Sequence, residues 1–183
     1  MPALHRLTLT TAAAALTLAG CAMSGAPQSF SQASLPEAVK VPAGHRVAME
    51  TVGVGEITYE CRAKPNAAGA HEWTFVGPMA TLNDRSGKAV GKYWGPPATW
   101  ESMDGSKLTG SQVAVAPAEP GSIPLQLVKA NPAAGNGAMT GVTYIQRVAT
   151  RGGVAPQSAC GADTLGRKEV VRYQADYIFY KQG

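Results

Sequence analysis

Residues Lys168 to Gln182 read KEVVRYQADYIFYKQ. Taken at a period of two, they place Val171, Tyr173, Ala175, Tyr177 and Phe179 on one side, with Arg172, Gln174 and Asp176 mostly on the other. Wound into a helix, the same apolar residues would scatter around the circumference. The segment therefore reads as a long strand, buried on one face and expected near the end of a sheet system. A strand of this kind needs partners, and the rest of the chain offers them.

Working back from it, GVTYIQRVAT (Gly141–Thr150) and SIPLQLVKA (Ser122–Ala130) are two further strand candidates. KLTGSQVAVA follows the turn signal DGS at Asp104–Ser106, and AVGKYW follows NDRSGK at Asn83–Lys88. In HEWTFVG, Trp73 and Phe75 share a face. RVAMETV sets Val47, Met49 and Thr51 together, and EITYECR sets Ile57, Tyr59 and Cys61 together, so Gly53-Val54-Gly55 between them reads as a hairpin turn. With 21 Gly, 13 Pro and 15% charged residues, the composition suits many short strands and turns. The expectation is all-β: one antiparallel β-sandwich or barrel-like domain over residues 35–183, with little helix outside the leader.

The N-terminus, MPALHRLTLTTAAAALTLAGCAMSG, obeys a different pattern. Arg6 precedes an apolar run from Leu7 to Gly20, the layout of an export signal. As a helix this run would reach only about 21 Å, short of the ~30 Å hydrocarbon core, so residues 1–20 read as a leader. Leu18-Ala19-Gly20-Cys21 resembles the lipobox of bacterial lipoproteins. That resemblance implies lipidation of Cys21, cleavage before it and acylation of the freed amino group; two or three acyl chains anchor a protein stably where one does not. Ala22 stands where an Asp would resemble an inner-membrane retention signal, which favours the outer membrane, facing the periplasm. Cleavage a residue or two later is the alternative and would release a soluble secreted or periplasmic protein. Residues 21–34 are small and polar, as in a flexible tether.

Loss of the leader takes the formal charge from +4 to about +3, and the remaining cations are scattered. Nucleic acid is not an expected partner, because phosphate recognition needs a basic patch or stripe. The expected state is a monomer. In an exported chain the two remaining thiols, Cys61 and Cys160, most simply pair, the alternative being two separately buried free thiols. Neither has a local motif that would lower its pKa for catalysis.

Sites for chemistry are sparse. The mature chain has only His45 and His71, and HEWTF lacks the second histidine of a zincin helix, so no metal site is expected. No G-x-S-x-G or Walker sequence occurs, and Gly53 and Gly55 are followed at the third place by Thr58, so no nucleotide cofactor is expected. Glu72 with Asp84, or Glu101 with Asp104, would serve a glycosidase only at a carboxyl separation of about 5–9.5 Å. No catalytic residue is assigned, and a hydrolase is the least favoured reading.

The best candidate site is KYWGPPATWESMDGS, Lys92 to Ser106. Tyr93, Trp94 and Trp100, held by Pro96 and Pro97, would form a stacking face, with Glu101 and Asp104 as polar partners. In the competing reading Trp100 plugs the end of the core, Trp94 caps a sheet edge, and the proline pair only marks a change of direction.

In fixed order, GEITYECRAK, EWTFVGPMATLNDRSGKAVGKYWGPPATWESMDGSKLTG, IPLQLVKA, GVTYIQRVATRGGVAPQSAC and VRYQADYIFYKQG resemble the domain-of-unknown-function family 3455 of exported bacterial and fungal proteins, over about Val41 to Gly183. The resemblance implies an exported β-rich domain with Cys61 paired to Cys160, and it brings no established activity. Similar proteins tend to carry a histidine where this chain has Lys92. The functional expectation is a lipoprotein held to the cell envelope by Cys21 and acting as a non-catalytic binding module for a glycan or small apolar ligand. The alternative is a structural lipoprotein that meets an envelope protein through an exposed sheet edge.

Overall fold

A computed structural model describes residues 30–183; the leader, Cys21 and the tether up to residue 29 lie outside the described residues. Eight strands follow one another: β1 (His45–Ala63), β2 (His71–Asn83), β3 (Ala89–Trp94), β4 (Thr99–Ser102), β5 (Lys107–Ala116), β6 (Leu125–Ala130), β7 (Val142–Gly152) and β8 (Lys168–Gln182). Each pairs antiparallel with the next, and β8 returns to β1, so the sheet closes into a barrel in sequence order. Of the two architectures expected from the sequence, the barrel is the one formed.

β8 shows why the ring closes. Far from ending the sheet system, it lies between β7 and β1, paired to both along most of its length. Tyr173, Ala175, Tyr177 and Phe179 point inward and are buried, as the alternation predicts. Ile178 and Tyr180, on the opposite face, are buried as well. A strap of residues 30–41 covers them, where Phe30, Leu35, Val39 and Val41 pack with Leu127, Val148, Ile178 and Tyr180 outside the barrel. Within this outer core the fully buried Gln146 amide donates to the carbonyl of Val39 at 2.6 Å and to Gln32 Oε1 at 3.0 Å, and it accepts from the Tyr180 hydroxyl at 2.7 Å. A buried amide is tolerated because its donors and acceptor are matched. The strap includes Phe30–Ser34, residues whose composition suggested tether.

One expectation fails. Gly53-Val54-Gly55 makes no hairpin, and β1 runs straight through it for 19 residues. Neither glycine has the positive φ that a tight turn would use. Both serve close approach instead. A Cβ on Gly53 would sit 2.5 Å from the Tyr177 ring, and one on Gly55 would collide with the β2 backbone at Met79–Ala80. The glycines let the wall bend around large inward tyrosines.

The disulfide joins Cys61, near the end of β1, to Cys160, 99 residues later, with Cα atoms 5.5 Å apart. No helix among the described residues is long and apolar enough to cross a membrane.

Candidate functional site

The interior is packed around aromatic side chains. Tyr93 and Trp100 face each other across β3 and β4 and stack with centroids 4.8 Å apart, and Tyr177 closes on Tyr93 at 5.0 Å. Trp100 is 1% exposed, and its indole N–H meets no acceptor among the described residues. Tyr173 and Tyr177 join their hydroxyls at 3.1 Å, while Tyr59 donates to the carbonyl of Gly153 at 2.8 Å.

The candidate residues of the Lys92–Ser106 stretch therefore separate by strand alternation. Tyr93 and Trp100 point in, while Trp94 and Glu101 point out. On the outer wall Lys92 lies 5.1 Å from the Trp94 ring centroid and 3.5 Å from Glu101. Closure leaves Trp94 no sheet edge to cap. Asp104 sits in the β4–β5 turn, accepting from the Ser106 N–H and hydroxyl through Oδ1 and from the Ala138 N–H through Oδ2. These five residues form no single surface, and only Tyr93 lines the cavity described next.

That cavity, of about 340 Å³, opens at the barrel end that carries the β3–β4 turn. One wall is Phe75 and Pro78 from β2, with Gly95, Pro96 and Ala98 of the Gly-Pro-Pro turn. Both the Gly95–Pro96 and Pro96–Pro97 peptide bonds are cis. The register shift of β2 against β1 at Thr58/Tyr59 skips Val76, which is how Phe75 and Pro78 come to share the inward face. The other wall carries the polar groups: Gln112 from β5, Gln126 from β6 and Arg147 from β7, above Val128. Tyr93 forms the floor between them.

Arg147 dominates the electrostatics. Its cross-strand partner is Tyr177, which places the guanidinium on the inward face. Nε and Nη2 donate to the carbonyl of Pro124 at 3.2 and 2.9 Å. No ion pair among the described residues includes Arg147, and the cavity lining contains no carboxylate. Burial pushes the hydroxyl pKa values of Tyr59, Tyr93, Tyr173 and Tyr177 above the ordinary tyrosine range, and the charge of Arg147 opposes that shift at all four. The tyrosines stay neutral and the cation sets the sign of the site.

Chemically, the lining offers aromatic faces, two amides and a guanidinium, with no imidazole, thiol or carboxylate for proton or group transfer. A second, larger depression of about 570 Å³ lies on the outer wall, between Val54, Met79, Lys92 and Arg172. Among the described residues no cluster of three or more His, Cys, Asp or Glu could hold a metal ion.

Sequence reading missed Arg147, Gln112 and Gln126. A signal existed: in TYIQRVAT, Arg147 shares its alternation face with Ile145, so a charge sits among inward positions. The other face carries buried Val148 and Gln146 beneath the strap, and a strand covered on both sides has no polar face to orient it.

Taken together, fold and site define an eight-stranded up-and-down antiparallel barrel with a small cation-bearing mouth, a size at which the interior is filled by side chains or holds one small ligand. The chain belongs to the family described as "Protein of unknown function (DUF3455)", whose model matches residues 42–181. No curated protein and no solved structure matches the chain significantly.

Proposed function

We propose that this protein is a cell-envelope lipoprotein, anchored through Cys21, whose barrel binds a small ligand, part apolar and part polar, without turning it over. The observation that carries the reading is the 340 Å³ opening that leads onto Tyr93, with apolar residues on one wall and amides and a guanidinium on the other. Ligand sites join concave apolar surface to a few convergent polar groups, and this cavity combines the two in roughly equal parts. A flat apolar molecule and a sugar ring both suit it, since each presents a face for Phe75 and edges for Gln112 and Gln126.

The test is the mass of the protein extracted from its own membranes, taken under native and then denaturing conditions. A component that is present natively and shed on denaturation supports the reading, as does its loss from an Ala98→Trp variant with a blocked mouth. No shed component, or one retained by that variant, counts against it. The denatured mass also tests the anchor: it should exceed that of the chain starting at Cys21 by the acyl groups.

The second reading, a partner-binding lipoprotein, has one observation in its favour. Val54 and Met79, 49% and 74% exposed, border the outer depression. A closed ring leaves no edge strand for strand addition, so such a partner would have to meet the wall face-on.

A further inference from the structure

The guanidinium of Arg147 is held along one edge and open along another. An arginine has five N–H donors, arranged as a side edge of Nε and Nη2 and an end edge of Nη1 and Nη2. In this barrel the side edge is bound to the carbonyl of Pro124, which fixes the plane of the group. The end edge has no protein acceptor among the described residues, and Arg147 lines the cavity. Two parallel N–H donors in a fixed plane match the two oxygens of a carboxylate. The amides beside it are arranged as well. Gln126, the cross-strand partner of Arg147, donates from Nε2 to Gln112 Oε1 at 2.7 Å, which orients both side chains at the rim.

Among the described residues the cation also lacks the counter-charge that usually accompanies a partly buried arginine. The other residues around the mouth are neutral, and the carboxylates in ion pairs belong to Glu37, Glu50, Glu60, Glu72, Glu101, Glu169 and Asp176, none of which lines it. Across the opening, Pro96 and the half-exposed Phe75 ring offer flat apolar surface, with buried Tyr93 behind them.

We infer that the barrel mouth selects ligands bearing a carboxylate on a flat apolar body, the carboxylate pairing with the free end edge of Arg147 and the body lying against Phe75 and Pro96. This inference rests on the proposal that the cavity is a ligand site and gives that ligand a charge. The structure thereby separates anionic from neutral molecules of the same shape.

The probes are 2-naphthoate and 2-naphthamide, which share a ring system and differ in charge, titrated against the whole mature protein with tyrosine and tryptophan fluorescence as the readout. Naphthoate is expected to bind about tenfold or more tighter, in keeping with a charge-assisted pair. Arg147→Gln should bring its affinity to the level of naphthamide, with naphthamide unchanged. Because Arg147 also holds Pro124, Gln126→Glu is the second variant: it leaves the arginine in place and sets a protein carboxylate opposite it, which should abolish the preference equally. Should Arg147→Gln fail to fold, Gln126→Glu decides alone. Equal binding of both probes, unaffected by either variant, overturns the carboxylate inference and leaves the cavity reading standing. Binding of neither probe to the wild-type protein overturns both.

Discussion

At one end of the barrel the loops of residues 103–106 and 131–141 lock together over a buried methionine; at the other, an opening beside the Gly95–Ala98 turn leads onto Arg147. At the closed end Asp104 accepts from Ser106 and Ala138, the Ser106 hydroxyl accepts from the Met139 N–H at 3.1 Å, and Met139 is 1% exposed in the main core. Gly137 lies so close to the Asp104 carboxylate that any Cβ would collide with it. Both oxygens of the Asp104 carboxylate and the Ser106 hydroxyl are thus partnered within the chain. At the open end an arginine edge, an amide acceptor on Gln126 and an amide donor on Gln112 face the cavity. The same eight strands thus supply a sealed base and an open mouth: loop contacts close the one, and strand side chains that the ring brings together line the other.

The largest expected effect tests what holds the open end. The disulfide lies there, and it closes a loop of 99 residues. Replacing Cys61 and Cys160 together by Ser should cost about 2–5 kcal/mol, read as a lower denaturant midpoint with a steeper slope, because the unbridged unfolded chain is less compact. A loss below about 1 kcal/mol would mean that the open end holds itself without the bond.

Next comes a matched pair of truncations. Met139→Ala, which hollows the closed end, should cost about 2–5 kcal/mol. Phe75→Ala removes a larger side chain from the open rim, but Phe75 is already 50% exposed, so about 1 kcal/mol or less is expected. Equal losses in denaturant titrations would erase the distinction between the two ends.

The smallest effect concerns acid. Hydrogen bonds, first from the Ser106 hydroxyl and then from the Ala138 and Ser106 N–H groups, hold the Asp104 carboxyl down at about 2, against 3.8 ordinarily. A lowered folded-state pKa contributes stability that is complete above the unfolded value and is lost as pH falls through the folded one. Asp104→Asn should therefore melt below the wild-type temperature at neutral pH, with the gap narrowing from about pH 4 and closing near pH 2. A gap that persists in acid would assign the effect to shape instead of charge.

Much of the wall was legible locally. β5 coincides with KLTGSQVAVA, the bends at Asn83–Lys88 and Asp104–Ser106 fall between strands, and β8 is inward at the residues its alternation marks. The site was legible only in part. Of the aromatic trio that marks KYWGPPATWESMDGS as a site, Trp100 goes to the interior and Trp94 to the outer wall, and only Tyr93 lines the mouth, together with the turn itself. Gln112, Gln126 and Arg147 come from three strands and meet only because the ring closes.

By itself, the sequence determined the all-β class, most of the strands in their order along the chain, the turns at Asn83–Lys88 and Asp104–Ser106, and the pair of cysteines able to bridge them. Each of these is written in residue spacing at short range, as a period of two, a turn residue or a thiol count. Tertiary structure alone decided that β8 meets β1, that the glycines of β1 make room for Tyr177 instead of turning the chain, that a strap buries the outside of β6, β7 and β8, and that Arg147 faces inward without a counter-ion. The physical reason is one of range. Which face of a strand is buried, and which charge stands unpaired, depend on segments far away in sequence that close the ring and cover its wall.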